Sequence, residues 1–382
     1  MRSSGILLIA AALSACGPGG AVGQATADAV RSPTPAVLEG AVRTEIVARG
    51  LEHPWGLAFL PDGRYLVTER PGRLRIVSRD GTLSPPLAGV PAVAAVGQGG
   101  LLDVTLDPGF ASNRILYLSF SEPGEGRIAG TSVLRARLGD AGLEDVRVIY
   151  RQDPKVRSNG HYGSRVVVRN DGTLFITQGD RMNQRSLVQD LSTGIGKIMR
   201  INADGTIPRD NPFTGRADAQ PAIWSYGHRN VQAAAIDPAT GNLWTVEHGA
   251  RGGDELNHPE AGKNYGWPVI TYGVDYSGVR IGEGTAKEGM EQPVYYWDPV
   301  IAPSGMAFYT GDAFPGWRGS ILIGGMNPGA LVRLTVTDGS VTGEERYSIL
   351  GERVRDIQQG PDGLIYVVTD ESDGKIVRVL PQ

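Results

Sequence analysis

One pattern recurs six times along this chain: an apolar strand, a tight turn carrying an aspartate, and a second apolar strand rich in β-branched and aromatic residues. The copies are GLAFLPDGRYLVTERPGRLRIV (56–77), DVTLDPGFASNRILYLSFSE (103–122), RVVVRNDGTLFITQGD (165–180), AAAIDPATGNLWTVEHG (233–249), GMAFYTGDAFPGWRGSILIGGMNPGALVRLTV (305–336) and DIQQGPDGLIYVVTDESDGKIVRVL (356–380). Their turn aspartates are Asp62, Asp107, Asp171, Asp237, Asp312 and Asp362, between 45 and 75 residues apart. Six multi-stranded units at this spacing predict an all-β chain, a six-bladed β-propeller with four-stranded antiparallel blades. A single unit has two apolar faces and cannot bury both; radial stacking covers them and leaves only short edges. The 54 glycines among 382 residues, without a Gly-X-Y period, fit the many turns required. The uneven spacing implies long inserted loops, above all between 181 and 225 and between 251 and 304, gathered at one end of the central channel.

The N-terminus carries no such pattern. Met1-Arg2 is a short positive segment, and Gly5 to Leu13 is an apolar stretch too short to span a bilayer. It ends in Leu13-Ser14-Ala15-Cys16, which resembles a bacterial lipobox, and Cys16 is the chain's only cysteine. The expected division is a lipoprotein signal peptide over 1–15, a lipidated Cys16 with a flexible Pro/Gly-rich tether over 16–42, and the propeller over 43–382. That places the protein in the bacterial cell envelope, facing the periplasm and touching membrane only through its lipid, on the outer membrane if the cell is Gram-negative. With one cysteine there is no disulfide framework, so the fold rests on its core. A net charge of −4 with no basic run offers no footprint for nucleic acid.

Five polar loop motifs stand at comparable positions in their units: Gly97-Gln98-Gly99-Gly100, Ser158-Asn159-Gly160-His161-Tyr162-Gly163, Gly227-His228-Arg229-Asn230, Glu247-His248-Gly249-Ala250 with Asp254-Glu255-Leu256-Asn257, and Arg353-Val354-Arg355-Asp356. In a propeller such loops open at one mouth of the channel. Arg229, Arg353 and Arg355 suit carboxylates or quinone-like oxygens, and glycine carbonyls suit a hard cation such as Ca²⁺. Spacings for zinc, for a serine nucleophile elbow and for a dinucleotide fold are missing. The residue types point to an anionic, multi-carboxylate ligand, with a histidine free to act as base.

In combination and in this order, Gly97-Gln98-Gly99-Gly100-Leu101-Leu102, Gly227-His228-Arg229-Asn230, Glu247-x-Gly249-x-x-x-x-Asp254-Glu255-Leu256-Asn257 and Gly262-Lys263-Asn264-Tyr265-Gly266-Trp267-Pro268 resemble the soluble PQQ-dependent aldose dehydrogenases of the glucose/sorbosone dehydrogenase family, over about residues 44 to 380. The resemblance implies pyrroloquinoline quinone (PQQ) and Ca²⁺ at the channel mouth, oxidation of an aldose at C1 to the lactone, and electrons passed to an external quinone or cytochrome. It implies that His161 is the general base, a task its pKa of about 6.5 suits, and that Asp180 orients the imidazole. It implies that Gln98, His161, Arg229, Asn230, His248, Arg353 and Arg355 hold the cofactor and that the carbonyls of Gly249 and Ala250 ligate Ca²⁺. Asp254 and Glu255 match a second calcium position of some relatives, and Tyr295, Tyr296 and Trp297 fall where relatives line the sugar pocket.

Two departures stand out. Asn327 occupies the position of a cofactor-binding lysine, a loss of about 1.5–3 kcal/mol if a charged hydrogen bond goes with it. Gly160 stands where some relatives have an aspartate before the base. A calcium-dependent lactonase, also a six-bladed propeller, and a sugar- or protein-binding propeller without cofactor are the alternative readings.

Overall fold

The computed structural model describes Met1 and residues 29–382; the signal segment and Cys16 lie outside them. The chain is a six-bladed β-propeller. Its six sheets follow in order, each an antiparallel meander whose first strand lines the axis. The inner strands are Pro54–Phe59, Leu101–Leu106, Val166–Val168, Val231–Ile236, Pro303–Phe308 and Val354–Gln359, and each packs on the next, the last meeting the first.

Each of the six aspartates occupies the turn between the first and second strands of its blade. In five of them the carboxylate accepts the backbone N–H two residues on: Asp62 from Arg64, Asp107 from Gly109, Asp171 from Thr173, Asp237 from Ala239 and Asp362 from Leu364. That local bond makes aspartate a turn former. Asp312 instead pairs with Arg318 across a longer turn.

The apolar faces of the blades form six buried clusters, one at each blade–blade interface. Leu66 and Leu74 meet Val104 and Leu118 between the first two blades; Val367 and Val377 meet Leu322 and Leu331 between the last two. The ring closes with Arg43–Leu51, which pairs antiparallel with the final strand Gly374–Leu380 and so joins the two ends of the domain in one sheet.

Two expectations need correction. The first blade has three strands, ending at Arg73–Val77, with a lone bridge from Val77 to Leu83 where a fourth would run. Pro85 and Pro86 follow at once and have no N–H to extend a ladder. The tether expected over 16–42 is not free in its described part. Val30–Arg31 adds a parallel fifth strand to the fourth blade, and Val37–Leu38 does the same for the fifth. Ser32, buried between them, donates to Glu344 Oε2 at 2.5 Å. Val30 and Leu38 themselves stay exposed, so unpaired backbone at the two blade edges, rather than side-chain burial, draws this segment in.

At the axis, Arg165 ties the blades together. Its guanidinium pairs with Asp103 at 2.8 Å and Asp356 at 3.0 Å, donates to the carbonyls of Gln232 and Ser304, and lies 4.5 Å over the Trp55 ring. These partners come from the other five blades.

Candidate functional site

The site is built on the loop 158–164, just before the third inner strand. His161 adopts a left-handed backbone (φ 48°), a costly conformation for a non-glycine residue that neighbours must hold in place. Three contacts do so. The His161 N–H donates to Gln98 Oε1 at 2.8 Å, the Gly163 N–H donates to Asn230 Oδ1 at 3.1 Å, and the buried Arg181 guanidinium donates to the carbonyls of Gly160 and Ser158 while lying 3.3 Å over the Tyr162 ring. Gly179 is required beneath this loop, because a Cβ there would stand 2.1 Å from the His161 carbonyl oxygen. At Gly160 a Cβ would stand 2.3 Å from the sulfur of Met182, so an aspartate before the histidine requires that exposed side chain to move.

His161 Nδ1 lies 2.6 Å from Asp180 Oδ1. The second oxygen, Oδ2, accepts the indole N–H of Trp267 at 2.9 Å, and the Met182 N–H adds a bond to Oδ1 at 2.8 Å. With Nδ1–H donated to a carboxylate, the lone pair sits on Nε2, and Nε2 has no hydrogen bond among the described residues. Burial lowers the pKa of His161 below its usual value; Asp180 opposes this, while Arg229 and Arg181 add to it. Burial alone would raise Asp180, but the hydrogen bond and charge of His161, with Arg229, hold it below the usual carboxylate range. The resting pair is a neutral imidazole and an ionised carboxylate, which is the form a general base requires.

The structure brings Gln98, His161, Asp180, Arg229, Asn230, His248 and Arg355 together. Asp180 N–H donates to the Arg229 carbonyl at 2.7 Å. Arg229 donates through Nη1 to the carbonyls of His248 (3.1 Å) and Gly249. Arg355 donates to Gln232 Oε1 at 2.9 Å and to Asp370. Desolvation, then the charges of Arg229, His161 and Arg355, hold the partly buried His248 well below its usual pKa and keep it neutral. Arg353 is half exposed, 3.6 Å from Asp370 and 3.4 Å from the Met326 sulfur, beside Asn327, whose exposed amide makes no hydrogen bond among the described residues.

Several buried polar atoms at this mouth lack partners among the described residues: Arg229 Nε, Arg355 Nε, Arg70 Nε and His248 Nε2. An unpaired buried donor costs about 1–3 kcal/mol and is rare in native proteins. Four arginines (Arg70, Arg229, Arg353, Arg355) face three carboxylates here, Asp180, Asp370 and Glu247. The surplus of donors and positive charge fits an anionic, multi-carboxylate ligand.

Three sets of candidates sit otherwise than expected. Asp254 does not present its carboxylate to a cation: Oδ1 accepts the Gly249 N–H at 2.7 Å, and Oδ2 accepts those of Ile301 and Ala302 at 2.8 Å. Burial pushes it up to about 6, and it braces the Gly249–Ala250 loop. Glu255 stands half-buried beside Glu247, and desolvation with that like charge raises it well above the usual range. No cluster of three His, Cys, Asp or Glu able to hold a metal occurs among the described residues. Of the aromatic triplet, Tyr295 and Trp297 are buried in the core between blades four and five, and Tyr295 donates to Glu344. Alternation along the strand turns only Tyr296 the other way, where it stacks on Tyr272 at 3.9 Å.

Residues to which the sequence assigned no role complete the site. Glu247 accepts the Arg229 N–H at 2.5 Å and pairs with His228 at 3.0 Å, so His228, stacked on Tyr265, is structural. Asp370 gathers Arg355, Arg353, Arg70 and His53. Trp267 stood in a quoted motif, and an indole N–H at a buried position needs an acceptor; which acceptor only the fold could tell.

Comparison with known proteins gives the family. The family model described as Glucose / Sorbosone dehydrogenase matches residues 51–378. The chain is 47% identical over 347 residues to the Aldose sugar dehydrogenase YliI of Escherichia coli (strain K12), covering 89% of this chain and 93% of that protein. It is similar to the crystal structure of the soluble aldose sugar dehydrogenase from Escherichia coli in its apo-form (TM-score 0.86, 46% identity, 89% and 100% of the two chains). It is also similar to the PQQ-bound aldose sugar dehydrogenase from Streptomyces coelicolor (TM-score 0.74, 27% identity, 88% and 98%). A propeller with this motif order, this histidine–aspartate pair at its mouth and this match along nearly its whole length belongs to the glucose/sorbosone dehydrogenase family.

Proposed function

We propose that this protein is a PQQ- and Ca²⁺-dependent aldose dehydrogenase that oxidises sugars at C1 to lactones and passes the electrons to an external acceptor. The observation that carries this reading is the His161–Asp180 pair, with its free Nε2, set among buried arginine and histidine nitrogens that have no partner. When bound, PQQ supplies the two-electron acceptor for the hydride that leaves C1. The chain's own part is proton transfer and placement. His161 Nε2 takes the proton of the C1 hydroxyl, and Asp180 stabilises the imidazolium that results. Arg229 and Arg355 have Nε donors to spare for the cofactor's carboxylates, and Arg353 stands at the rim. Gln98 and Asn230 use their amide oxygens to brace the His161 loop, which leaves their amide nitrogens for the ligand.

For Ca²⁺ the donor set is the carbonyls of Gly249 and Ala250. The Arg229 guanidinium now stands at the Gly249 oxygen, in the place of a cation; an anionic cofactor drawing that guanidinium would free the carbonyl. A second calcium beside Glu255 finds support in the unpaired buried Oδ1 of Asn257.

Titrating purified apoprotein with PQQ and Ca²⁺, followed by dye reduction with glucose, other aldoses and a sugar-free blank, tests the assignment. Quinone-dependent turnover with at least one aldose is expected. Its absence with every sugar removes the dehydrogenase reading.

Export and lipid anchoring at Cys16 are proposed from the lipobox alone. Among the described residues no helix is long and apolar enough to cross a membrane. The Cys16→Ser protein is expected to leave the membrane fraction; equal partition of the two proteins defeats the anchor.

A further inference from the structure

We infer that Trp267 is a positioning residue that couples the proton-accepting pair to the arginine beside it. The indole N–H takes Asp180 Oδ2 at 2.9 Å, while Asp180 Oδ1 holds His161. The face of the same ring lies 5.2 Å from the Arg229 guanidinium carbon. One rigid side chain thus touches the orienting carboxylate with its edge and the arginine with its face.

The ring is itself clamped. Its backbone N–H donates to the Gly227 carbonyl at 2.9 Å, two residues before Arg229. Its carbonyl accepts Gln189 Nε2 at 2.7 Å, and Gln189 and Asn264 exchange amide hydrogen bonds at 2.8 and 3.1 Å. Val188, Ile195, Ala250 and Ile281 pack around it, leaving 6% of the residue exposed. A tryptophan serving only the core needs any acceptor; this one takes the free oxygen of the single carboxylate that faces His161.

The consequence for His161 has a definite sign. The indole N–H draws charge from the Asp180 carboxylate, which weakens that carboxylate's hold on an imidazolium. Removing the N–H concentrates negative charge toward Nδ1–H, favours the protonated ring and raises the His161 pKa. Only the part of the hydrogen bond that differs between the two states of His161 counts, so the rise is about half to one pH unit.

The inference rests on His161 being the base, but its test does not need turnover. In apoprotein, the His161 ring titration is followed by NMR in the unmodified chain, in Trp267→Phe and in Trp267→Leu. Phenylalanine keeps a ring face under Arg229 and loses the donor; leucine loses both. The expected result is an upward shift of the His161 midpoint in both variants, with PQQ affinity, read by fluorescence titration, retained in Trp267→Phe and weakened in Trp267→Leu. In unmodified protein one of the six indole N–H signals is expected to follow the His161 titration, a readout that survives even if a variant fails to fold. A His161 midpoint unchanged in Trp267→Phe, or six indole signals indifferent to that titration, overturns the inference. In loaded enzyme, the acid limb of kcat moves up with the midpoint while the sugar KM holds. Loss of all PQQ-dependent turnover in the unmodified protein would instead count against the dehydrogenase reading and leave the NMR result standing.

Discussion

His161→Ala is expected to lower kcat by about 10²–10⁴-fold, the usual contribution of a positioned general base, or about 3–5 kcal/mol of barrier. PQQ affinity should change little, because the group that braces the cofactor side of this loop is the His161 backbone N–H, donated to Gln98, and it survives the substitution. The two readouts separate the roles: fluorescence titration for binding, dye reduction for chemistry. Activity within threefold of the parent, with PQQ bound, would disprove the base. The pH dependence adds a check. The base works when neutral, so activity is present above its pKa and lost as pH falls through it. Burial sets that pKa below the usual 6.5, so the acid limb of kcat/KM is expected below pH 6.5. Asp180→Asn removes the one partner that raises it and should move the limb lower still, with a slower rate.

Arg165→Met is expected to give the largest loss of stability, about 3–5 kcal/mol, the cost of breaking a buried ion pair by removing one partner. Methionine matches much of the volume, but Asp103 and Asp356 are left facing each other at the axis without a counter-charge. Burial already pushes Asp103 up to about 6 despite Arg165. A carboxyl whose folded pKa lies above its unfolded value binds its proton better in the folded state, so its support is fullest in acid and fades as pH rises through the folded pKa. Without the guanidinium the Asp103 pKa rises further, and the deficit of the variant should be smaller at pH 5 than at pH 8. With an unfolding entropy of about 2.1 cal/mol/K per residue, the loss lowers Tm by about 4–7 °C. Thermal melts at both pH values test this; a deficit that grows toward acid pH would refute the charge argument. Replacing Asp103 with asparagine in the Arg165→Met background should restore part of the loss.

Much of the architecture was legible because its causes are local. An aspartate that bonds the N–H two residues on announces its own turn, so Asp62, Asp107, Asp171, Asp237 and Asp362 marked the blades directly. Loop motifs in blade order implied convergence, and Gln98, His161, Asp180, Arg229 and Asn230 do meet through hydrogen bonds. All three aromatics were expected at the sugar pocket; strand alternation puts Tyr295 and Trp297 on the face opposite to Tyr296, and only the packing of the fifth blade decides which face is buried. Asp254 reads as a metal ligand in a chain of letters; three backbone N–H groups, one from nearby Gly249 and two from Ile301 and Ala302, make it a brace.

The sequence by itself determined the number of blades and the order of the loops, since periodicity and turn chemistry act over a few residues; His161 was picked out among the five histidines by the family resemblance. Only the tertiary structure decided which partners those groups would have. Trp267 finds Asp180 across 87 residues, Arg165 finds Ser304 across 139, and the segment after residue 29 finds two sheet edges near the far end of the chain. Such pairings depend on how six sheets close into a ring, and no local pattern encodes a distance measured around that ring.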